Sequence, residues 1–266
     1  MAPKPNRHDR AWEDWGSVDP LYAILTDPKY RHGGGDRAEF LETGEEFASA
    51  IVQQCEGLGL AQTRGRALDF GCGVGRVTAP LARRFDEVVG LDISESMVAS
   101  ARRMHADVTN CSFEVQRSAD LADYADGSFD LVLCVLVLQH MSSRQAILQH
   151  LAEFARVLRP GGALVVQLPS SVPRATALAG WRTRAGLKAR TAIFLRRLGV
   201  SPKILYQRLD WVPEMTMTAV PDELTRSTLA ARGTPVVFTT LPDVDRGGTE
   251  SCIYFATRPL ARRADA

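Results

Sequence analysis

Short apolar runs alternate with helix-like stretches along the middle of the chain. The apolar runs, each four to eight residues long, lie at 67–70, 87–91, 129–136 and 163–168. Stretches with apolar residues at helical spacing lie at 77–85, 94–106 and 142–159. The run at 129–136 is apolar at nearly every position, as a central strand covered by helices on both faces requires. The pattern predicts βαβ units and a parallel sheet.

The two ends of the chain have different patterns. A helix is expected near 36–58, within an N-terminal region that carries several aromatic residues. A second helix is expected over 220–233, with Pro221 near its first turn and Gly233 after its end. The runs 235–240 and 251–258 predict an antiparallel pair of strands. Ser94, and Ser142 or Ser143, are expected to cap the helices that follow them.

Length and composition indicate one globular domain. With 266 residues, 45% of them hydrophobic and 24% charged, the chain is near the size at which one core stops growing. We expect four parts within it: a helical cap at 1–62, a core at 63–169, a basic helical insertion at 170–210, and a helix with a strand pair at 211–266. The longest apolar run, at 131–138, is too short to cross a bilayer, and the N-terminus has no apolar signal segment. We therefore expect a soluble, cytoplasmic protein.

The charge distribution is uneven although the net charge is only +1. Nine basic residues and no acidic ones lie within 171–209. Three interpretations remain open for this insertion. In the first interpretation, the insertion is a lid whose arginines, such as Arg182 and Arg184, bind a carboxylate or phosphate of a small molecule. Alternatively, it is a basic amphipathic helix that rests on a membrane surface, or a solvated face that balances an acidic body.

A glycine-rich loop follows the first apolar run, in the sequence RALDFGCGVGRVTAP at 66–80. A dinucleotide fingerprint needs its third glycine at position 76, which is Arg76 here, so NAD and FAD are disfavoured. Asp69 precedes the loop and would repel a pyrophosphate, but it would attract the cationic S-adenosylmethionine (SAM). Asp92 ends the next strand, where a carboxylate is able to accept hydrogen bonds from both ribose hydroxyls.

Four motifs in this order resemble those of the class I SAM-dependent methyltransferases. They are DFGCGVGR at 69–76, GLDIS at 90–94, DGSFDLVLC at 126–134 and RVLRPGGALVV at 156–166. The resemblance covers about residues 65–168, and the N-terminal cap resembles that of bacterial small-molecule methyltransferases. It implies an α/β fold with a doubly wound sheet of seven strands in the order 3-2-1-4-5-7-6, with strand 7 antiparallel.

The resemblance also implies which residues bind SAM, whose product is S-adenosylhomocysteine. They are Asp69, Gly71, Cys72, Gly73, Asp92, Ile93, Met97, Ser118, Ala119, Asp120, Leu136 and Gln139. Among them, Asp92 would hold the ribose and Ile93 would pack on the adenine. The family often has an acid after strand 3; Ser118 stands at that position here, and Asp120 follows two residues later. No metal is expected, because the sequence has no cluster of ligands at metal-binding spacing.

The acceptor side is expected at the end of strand 4. His140 is either a general base for a hydroxyl acceptor or a residue that only hydrogen-bonds near the cofactor. Tyr22, Arg182 and Arg184 are the other candidate acceptor contacts, whereas core packing is expected for Phe40. The predicted function is in-line methyl transfer from SAM to an O or N of a small molecule, anionic if the lid arginines bind it. The alternatives are an RNA-base methyltransferase, a catalytically silent SAM-binding protein and an NAD enzyme.

Overall fold

The computed structural model describes residues 7–118, 120–172, 191–192, 194–196, 198–210, 217–244 and 249–260. Three predicted site residues, Ala119, Arg182 and Arg184, lie outside these ranges, as does most of the predicted lid. The chain begins with the helices α1 (Arg7–Val18) and α2 (Pro20–Leu25), a 3-10 helix (Pro28–Gly33), and the long helix α3 (Arg37–Gly57). The predicted helix over 36–58 is therefore confirmed. Asp36 caps it by accepting a hydrogen bond from the amide of Ala38 at 2.7 Å.

Strands and helices then alternate through the core. The strands are β1 (Arg66–Phe70), β2 (Glu87–Asp92), β3 (Cys111–Val115), β4 (Phe129–Cys134), β5 (Leu158–Ser171), β6 (Val236–Thr239), β7 (Asp243–Val244) and β8 (Glu250–Thr257). Further helices are α4 (Thr78–Leu81), α5 (Glu95–Met104), α6 (Arg144–Val157), α7 (Pro202–Leu209) and α8 (Asp222–Ala231), with a 3-10 helix at Leu138–His140. Ser94 and Ser143 are the predicted caps that accept hydrogen bonds from the starts of α5 and α6.

The sheet has the order β3-β2-β1-β4-β5-β8-β6, with β8 antiparallel to both of its neighbours. The predicted order and the antiparallel strand are confirmed. The short β7, which pairs with β8, raises the number of strands from the expected seven to eight. All six residues of β4 are buried, as a strand covered on both faces requires.

Two predicted elements end earlier than expected. The strand expected over 129–136 ends at Cys134, because Leu136 has a φ of +63° and leaves the extended conformation. The helix expected over 77–85 is regular only over Thr78–Leu81. Beyond it the chain turns more tightly, since the amides of Arg83 and Arg84 bond to carbonyls three residues back.

The N-terminal helices and α7 pack together through an apolar cluster beside the sheet. Trp15, Tyr30, Phe40 and Met97 are among its buried members, which confirms the core role of Phe40. Within that contact, the Tyr206 hydroxyl on α7 donates a hydrogen bond of 2.7 Å to the carboxylate of Asp19. The cap and the part of the predicted lid that is described are thus joined by buried groups.

The basic insertion is only partly described, and two of its features differ from a simple amphipathic lid. Phe194 and Leu198, two of its apolar residues, are 60% and 64% exposed. Arg196 pairs with Asp14 of α1 at 2.8 Å, so this arginine balances an acidic residue of the cap. Among the described residues, no helix is long and apolar enough to cross a membrane.

Candidate active site

The site lies where the chain leaves two neighbouring strands in opposite directions. The chain after β1 crosses to β2, whereas β4 continues to β5 on the other side, and such switch points open a crevice at the carboxyl ends. A cavity of about 620 Å³ occupies this position, within the range usual for small-molecule sites. The loops after β1 and β4 line it, and α1 and α2 cover it with residues that include Trp12 and Ile24.

The glycine loop approaches neighbouring side chains very closely. Gly71 has a φ of +82°, and a Cβ there would lie 2.1 Å from Cγ2 of Val137. Gly73 has a φ of +56°, and a Cβ there would lie 2.8 Å from Cδ1 of Ile24. Both neighbours also line the cavity. The glycines therefore serve the turn and the close packing of the cavity wall, in addition to the predicted approach of main chain to a ligand.

Asp92 lies at the carboxyl end of β2 and is held by two main-chain donors. Its Oδ2 accepts a hydrogen bond from the amide of Gly73, and its Oδ1 accepts one from the amide of Ser94, both at 2.9 Å. The carboxylate lines the cavity together with Ile93 and Met97. Burial raises the pKa of Asp92, and these two donors oppose that effect. The loop after β1 and the end of β2 are thus fixed to each other through this side chain.

Glu13 of α1 covers the start of α5 beside Asp92. Its carboxylate accepts hydrogen bonds from the Ser94 hydroxyl at 2.9 Å, the Ser96 amide at 3.2 Å and the Ser96 hydroxyl. A carboxylate at a helix N-terminus interacts favourably with the free amides there. Sequence reasoning missed Glu13, because its partners are more than 80 residues away in the chain.

Asp69 is buried at the end of β1 and lines the cavity. Its Oδ2 accepts a hydrogen bond of 2.6 Å from the Thr78 hydroxyl, and Oδ1 has no partner among the described residues. Burial raises the pKa of Asp69 to about 6, while Thr78 and the guanidinium of Arg76 oppose the shift. Arg76, at the position of the missing third glycine, is itself buried and donates to the Thr43 hydroxyl at 3.2 Å.

The segment after β3 forms another part of the cavity wall. Gln116, Arg117 and Ser118 line the cavity there. Asp120 does not: it is exposed, and its carbonyl accepts a hydrogen bond of 2.6 Å from the Gln116 amide group. The structure therefore brings Ser118 to the predicted place and not Asp120, and it adds Gln116, which sequence reasoning missed.

The segment after β4 forms another wall of the cavity and packs against the glycine loop through Val137. Leu136, with its positive φ, lies here and is 40% exposed. Gln139 and His140 follow in a 3-10 helix, with the amide nitrogen of Gln139 3.2 Å from Nε2 of His140. Since an amide nitrogen only donates, Nε2 of the neutral imidazole accepts this hydrogen bond. The ring of Trp12 meets His140 edge-on at 5.0 Å.

Tyr22 is not part of the cavity wall, contrary to expectation. Its ring packs at 5.8 Å from Trp15 and at 5.5 Å from the guanidinium of Arg31. In a helix, neighbouring residues point about 100° apart, and α2 turns Ala23 and Ile24 to the cavity instead. Trp12, Met217 and His150 also line the cavity and were missed, because they come from segments distant in the sequence.

Cys72 also lines the cavity, where it is buried. Burial and two neighbouring carboxylates raise the pKa of its thiol well above the usual value, so the thiol stays protonated and is a poor nucleophile. Within the described ranges, no group of three or more His, Cys, Asp or Glu side chains is arranged to hold a metal ion.

The fold and this cavity have the arrangement that the resemblance to the class I SAM-dependent methyltransferases implies. The strand order, the acid and glycines after β1, the acid at the end of β2 and the cavity between them are the features of that class expected from the sequence. Consistent with this, residues 68–166 match the family model described as a methyltransferase domain.

Two curated relatives are similar over the larger part of the chain. The ubiquinone biosynthesis O-methyltransferase of Xanthomonas euvesicatoria pv. vesicatoria (strain 85-10) is 31% identical over 173 residues, which cover 64% of this chain and 61% of the relative. The methyltransferase GfsG of Streptomyces halstedii is 32% identical over 167 residues, which cover 60% of this chain and 50% of the relative. The chain thus spans only about half to three-fifths of the length of these relatives.

Solved structures share the fold over nearly the whole chain. Magnesium protoporphyrin IX methyltransferase from Synechocystis PCC 6803, with bound SAH, has a TM-score of 0.58 at 20% identity, covering 94% of this chain and 99% of that one. The [4+2]-cyclase SpnF has a TM-score of 0.60 at 18% identity, covering 97% of this chain and 99% of that one. At such identities the likeness concerns the fold alone.

Proposed function

We propose that this protein transfers a methyl group from SAM to a hydroxyl oxygen of a small, largely apolar molecule. One observation carries the proposal: a single cavity is lined at one end by Asp69, Asp92 and the glycine loop, and at the other by Trp12 and His140. A cationic nucleoside and an acceptor would therefore meet within one cavity.

The cofactor end suits SAM by the chemistry of its donor set. Asp92 has a fixed carboxylate that is able to accept hydrogen bonds from the ribose hydroxyls, and the Oδ1 atom of Asp69 is available for the ammonium group. Gln116 and Ser118 offer polar groups to the adenine edge. SAM supplies a methyl group already activated by its positive sulfur, so alignment with the acceptor is the main task of the protein.

The acceptor end favours a neutral aromatic or apolar molecule. Trp12, His140 and His150 line the cavity among mainly apolar and aromatic side chains, and the two described arginines of its lining, Arg76 and Arg117, come from the glycine loop and the segment after β3. The predicted anionic acceptor depends on Arg182 and Arg184, which lie outside the described residues. Oxygen is favoured over nitrogen because a similar relative is named as an O-methyltransferase.

His140 is the proposed group that takes the proton from the acceptor hydroxyl. Its Nε2 accepts a hydrogen bond from Gln139, so the acceptor hydroxyl must replace this amide as the donor to Nε2. Trp12 packs edge-on against the imidazole at 5.0 Å. In the other interpretation, the Gln139–His140 pair only shapes the wall.

Calorimetry and isotope transfer test the function together. The wild-type protein is titrated with S-adenosylhomocysteine and, as a control, with NADH. It is then incubated with methyl-labelled SAM and matched phenols and anilines. Binding of S-adenosylhomocysteine alone and label on the phenols are expected, with slower transfer and unchanged S-adenosylhomocysteine affinity for His140→Ala. Binding of NADH would overturn the proposal.

A silent SAM-binding protein is the second candidate. The fold also occurs in a protein named as a cyclase, so the fold alone does not decide the reaction. Binding of S-adenosylhomocysteine without label transfer to phenols, anilines or a cell metabolite extract would favour this candidate. Label recovered in added RNA would instead favour the RNA-base alternative.

A further inference from the structure

His150 is a second imidazole in the same cavity, distinct from His140. It lies two turns into α6, is 5% exposed and lines the cavity. Ala146, one turn earlier, lines the cavity as well, so α6 presents one face to it. The function proposed above makes no use of His150.

The hydrogen bonding of His150 fixes its tautomer. Nδ1 is 2.7 Å from the carbonyl oxygen of Ala146, and a carbonyl only accepts, so Nδ1 carries the proton. Nε2 of the neutral ring is then an acceptor, and it has no hydrogen-bond partner among the described residues. Burial lowers the pKa of His150, and the lowered pKa favours the neutral form of the ring. Glu153 opposes this shift.

The surroundings of the ring are apolar. Phe70, at the end of β1, packs edge-on at 5.2 Å, and Phe154 packs at 6.2 Å. Phe70 also lines the cavity. Phe70 and Phe154 belong to one buried apolar cluster, and Val137 and Met141 pack against that cluster. A lone hydrogen-bond acceptor among apolar groups is a strong selector for a ligand that carries a matching donor, because leaving the acceptor unpaired has a large cost.

We propose that His150 binds the acceptor molecule by accepting a hydrogen bond from one of its hydroxyl groups at Nε2. The ligand class is a phenol or another hydroxyl-bearing apolar molecule, and His150 selects against analogues in which that hydroxyl is blocked. The inference rests on the proposed function, since it assumes that the cavity holds an acceptor beside SAM. It gives the site a specificity-determining residue on α6.

Phenol and anisole are the probes that test this role, because they differ in the hydroxyl donor. Binding of each is measured by ligand-detected NMR to protein saturated with S-adenosylhomocysteine, so that only the acceptor end is free. The wild-type protein is expected to bind phenol about tenfold more tightly than anisole, the effect of one hydrogen bond to a buried acceptor. His150→Phe should abolish this preference, and His150→Gln, which keeps an acceptor atom near Nε2, should restore part of it.

His105→Phe is the matched control, because His105 is also buried but donates its ring hydrogen bond to the Val74 carbonyl and does not line the cavity. It should keep the wild-type preference.

Equal affinity for phenol and anisole in the wild type, including no binding of either, would overturn the inference. An unchanged preference in a His150→Phe protein that still binds S-adenosylhomocysteine would overturn it as well. If His150→Phe does not fold, wild-type ring ¹⁵N NMR decides: phenol must shift Nε2 and anisole must not. Failure of the proposed function would appear separately, as no S-adenosylhomocysteine binding or no label transfer by the wild type.

Discussion

Asp69→Asn should make the ligand-free protein more stable at neutral pH. The Asp69 carboxyl is buried, and its pKa is raised from 3.8 to about 6 in the folded protein. Well below pH 3.8 the group is protonated in both the folded and the unfolded chain, so it has no effect on stability there. Above pH 6 it is ionised in both, and the shift of about two units corresponds to roughly 3 kcal/mol of destabilisation. Asparagine avoids this cost because it does not ionise, and its amide oxygen is still able to accept from Thr78.

The assay is thermal denaturation of the ligand-free wild type and variant between pH 4.5 and pH 7.5. The advantage of the variant should grow as the pH rises through about 4 to 6, and it should reach about 5 °C in Tm at pH 7.5. S-adenosylhomocysteine affinity should move the other way, falling at least tenfold at pH 7.5, because the carboxylate that faces the ammonium group is lost.

Asp130→Asn provides a control of opposite sign. Asp130 accepts hydrogen bonds from the amide of Arg66 at 2.8 Å and from Arg159 at 2.7 Å, and these, with Thr63, lower its pKa despite burial. Its ionised form therefore stabilises the fold above the unfolded pKa, and Asp130→Asn should be less stable at pH 7.5. An Asp69→Asn protein that is no more stable than the wild type at pH 7.5, or whose advantage does not change with pH, would refute the reasoning.

Three further substitutions test other parts of the site. Asp92→Ala should weaken S-adenosylhomocysteine binding about 100-fold in calorimetry, since two charge-assisted hydrogen bonds are lost, and a change below threefold would contradict the ribose assignment. Gly71→Ala should lower the free energy of unfolding by more than 2 kcal/mol in urea denaturation, because its Cβ would lie 2.1 Å from Val137. The control Gly57→Ala, where nothing lies within 4 Å, should not. Leu136→Gly should raise the free energy of unfolding by about 0.5–1 kcal/mol by removing left-handed strain at φ +63°, and a loss of stability would contradict that.

The cofactor end was predictable from the sequence because its residues are local to strand ends. Asp69 lies one residue before the end of β1 and Asp92 is the last residue of β2, and parallel strands bring their carboxyl ends to one edge of the sheet. The same logic identified Gln139 and His140 after β4. The order of the strands, by contrast, came from the resemblance to a family, since alternating runs predict a parallel sheet but not its permutation.

The acceptor end was mostly not predictable. Trp12, His150 and Met217 reach the cavity from three distant segments, so only tertiary packing brings them together. The expectation that Tyr22 lines the acceptor side was not met for a different reason. Tyr22 is the aromatic residue of α2, but the helical phase turns Ile24 to the cavity instead. A short helix without a clear apolar stripe gives no phase to read from the sequence.

Three unusual features of the structure border the same cavity, and each has its own physical cause. Asp69 is a buried carboxylate with one oxygen that lacks a partner among the described residues, and Leu136 has a left-handed main chain. The Nε2 atom of His150 is also without a hydrogen-bond partner there. Burial of the Asp69 carboxylate and the left-handed main chain of Leu136 each lower stability, and all three residues line the cavity. A ligand with a cationic end and a hydroxyl-bearing partner would satisfy both polar groups at once, which is the strongest physical reason to regard this cavity as a two-ligand site.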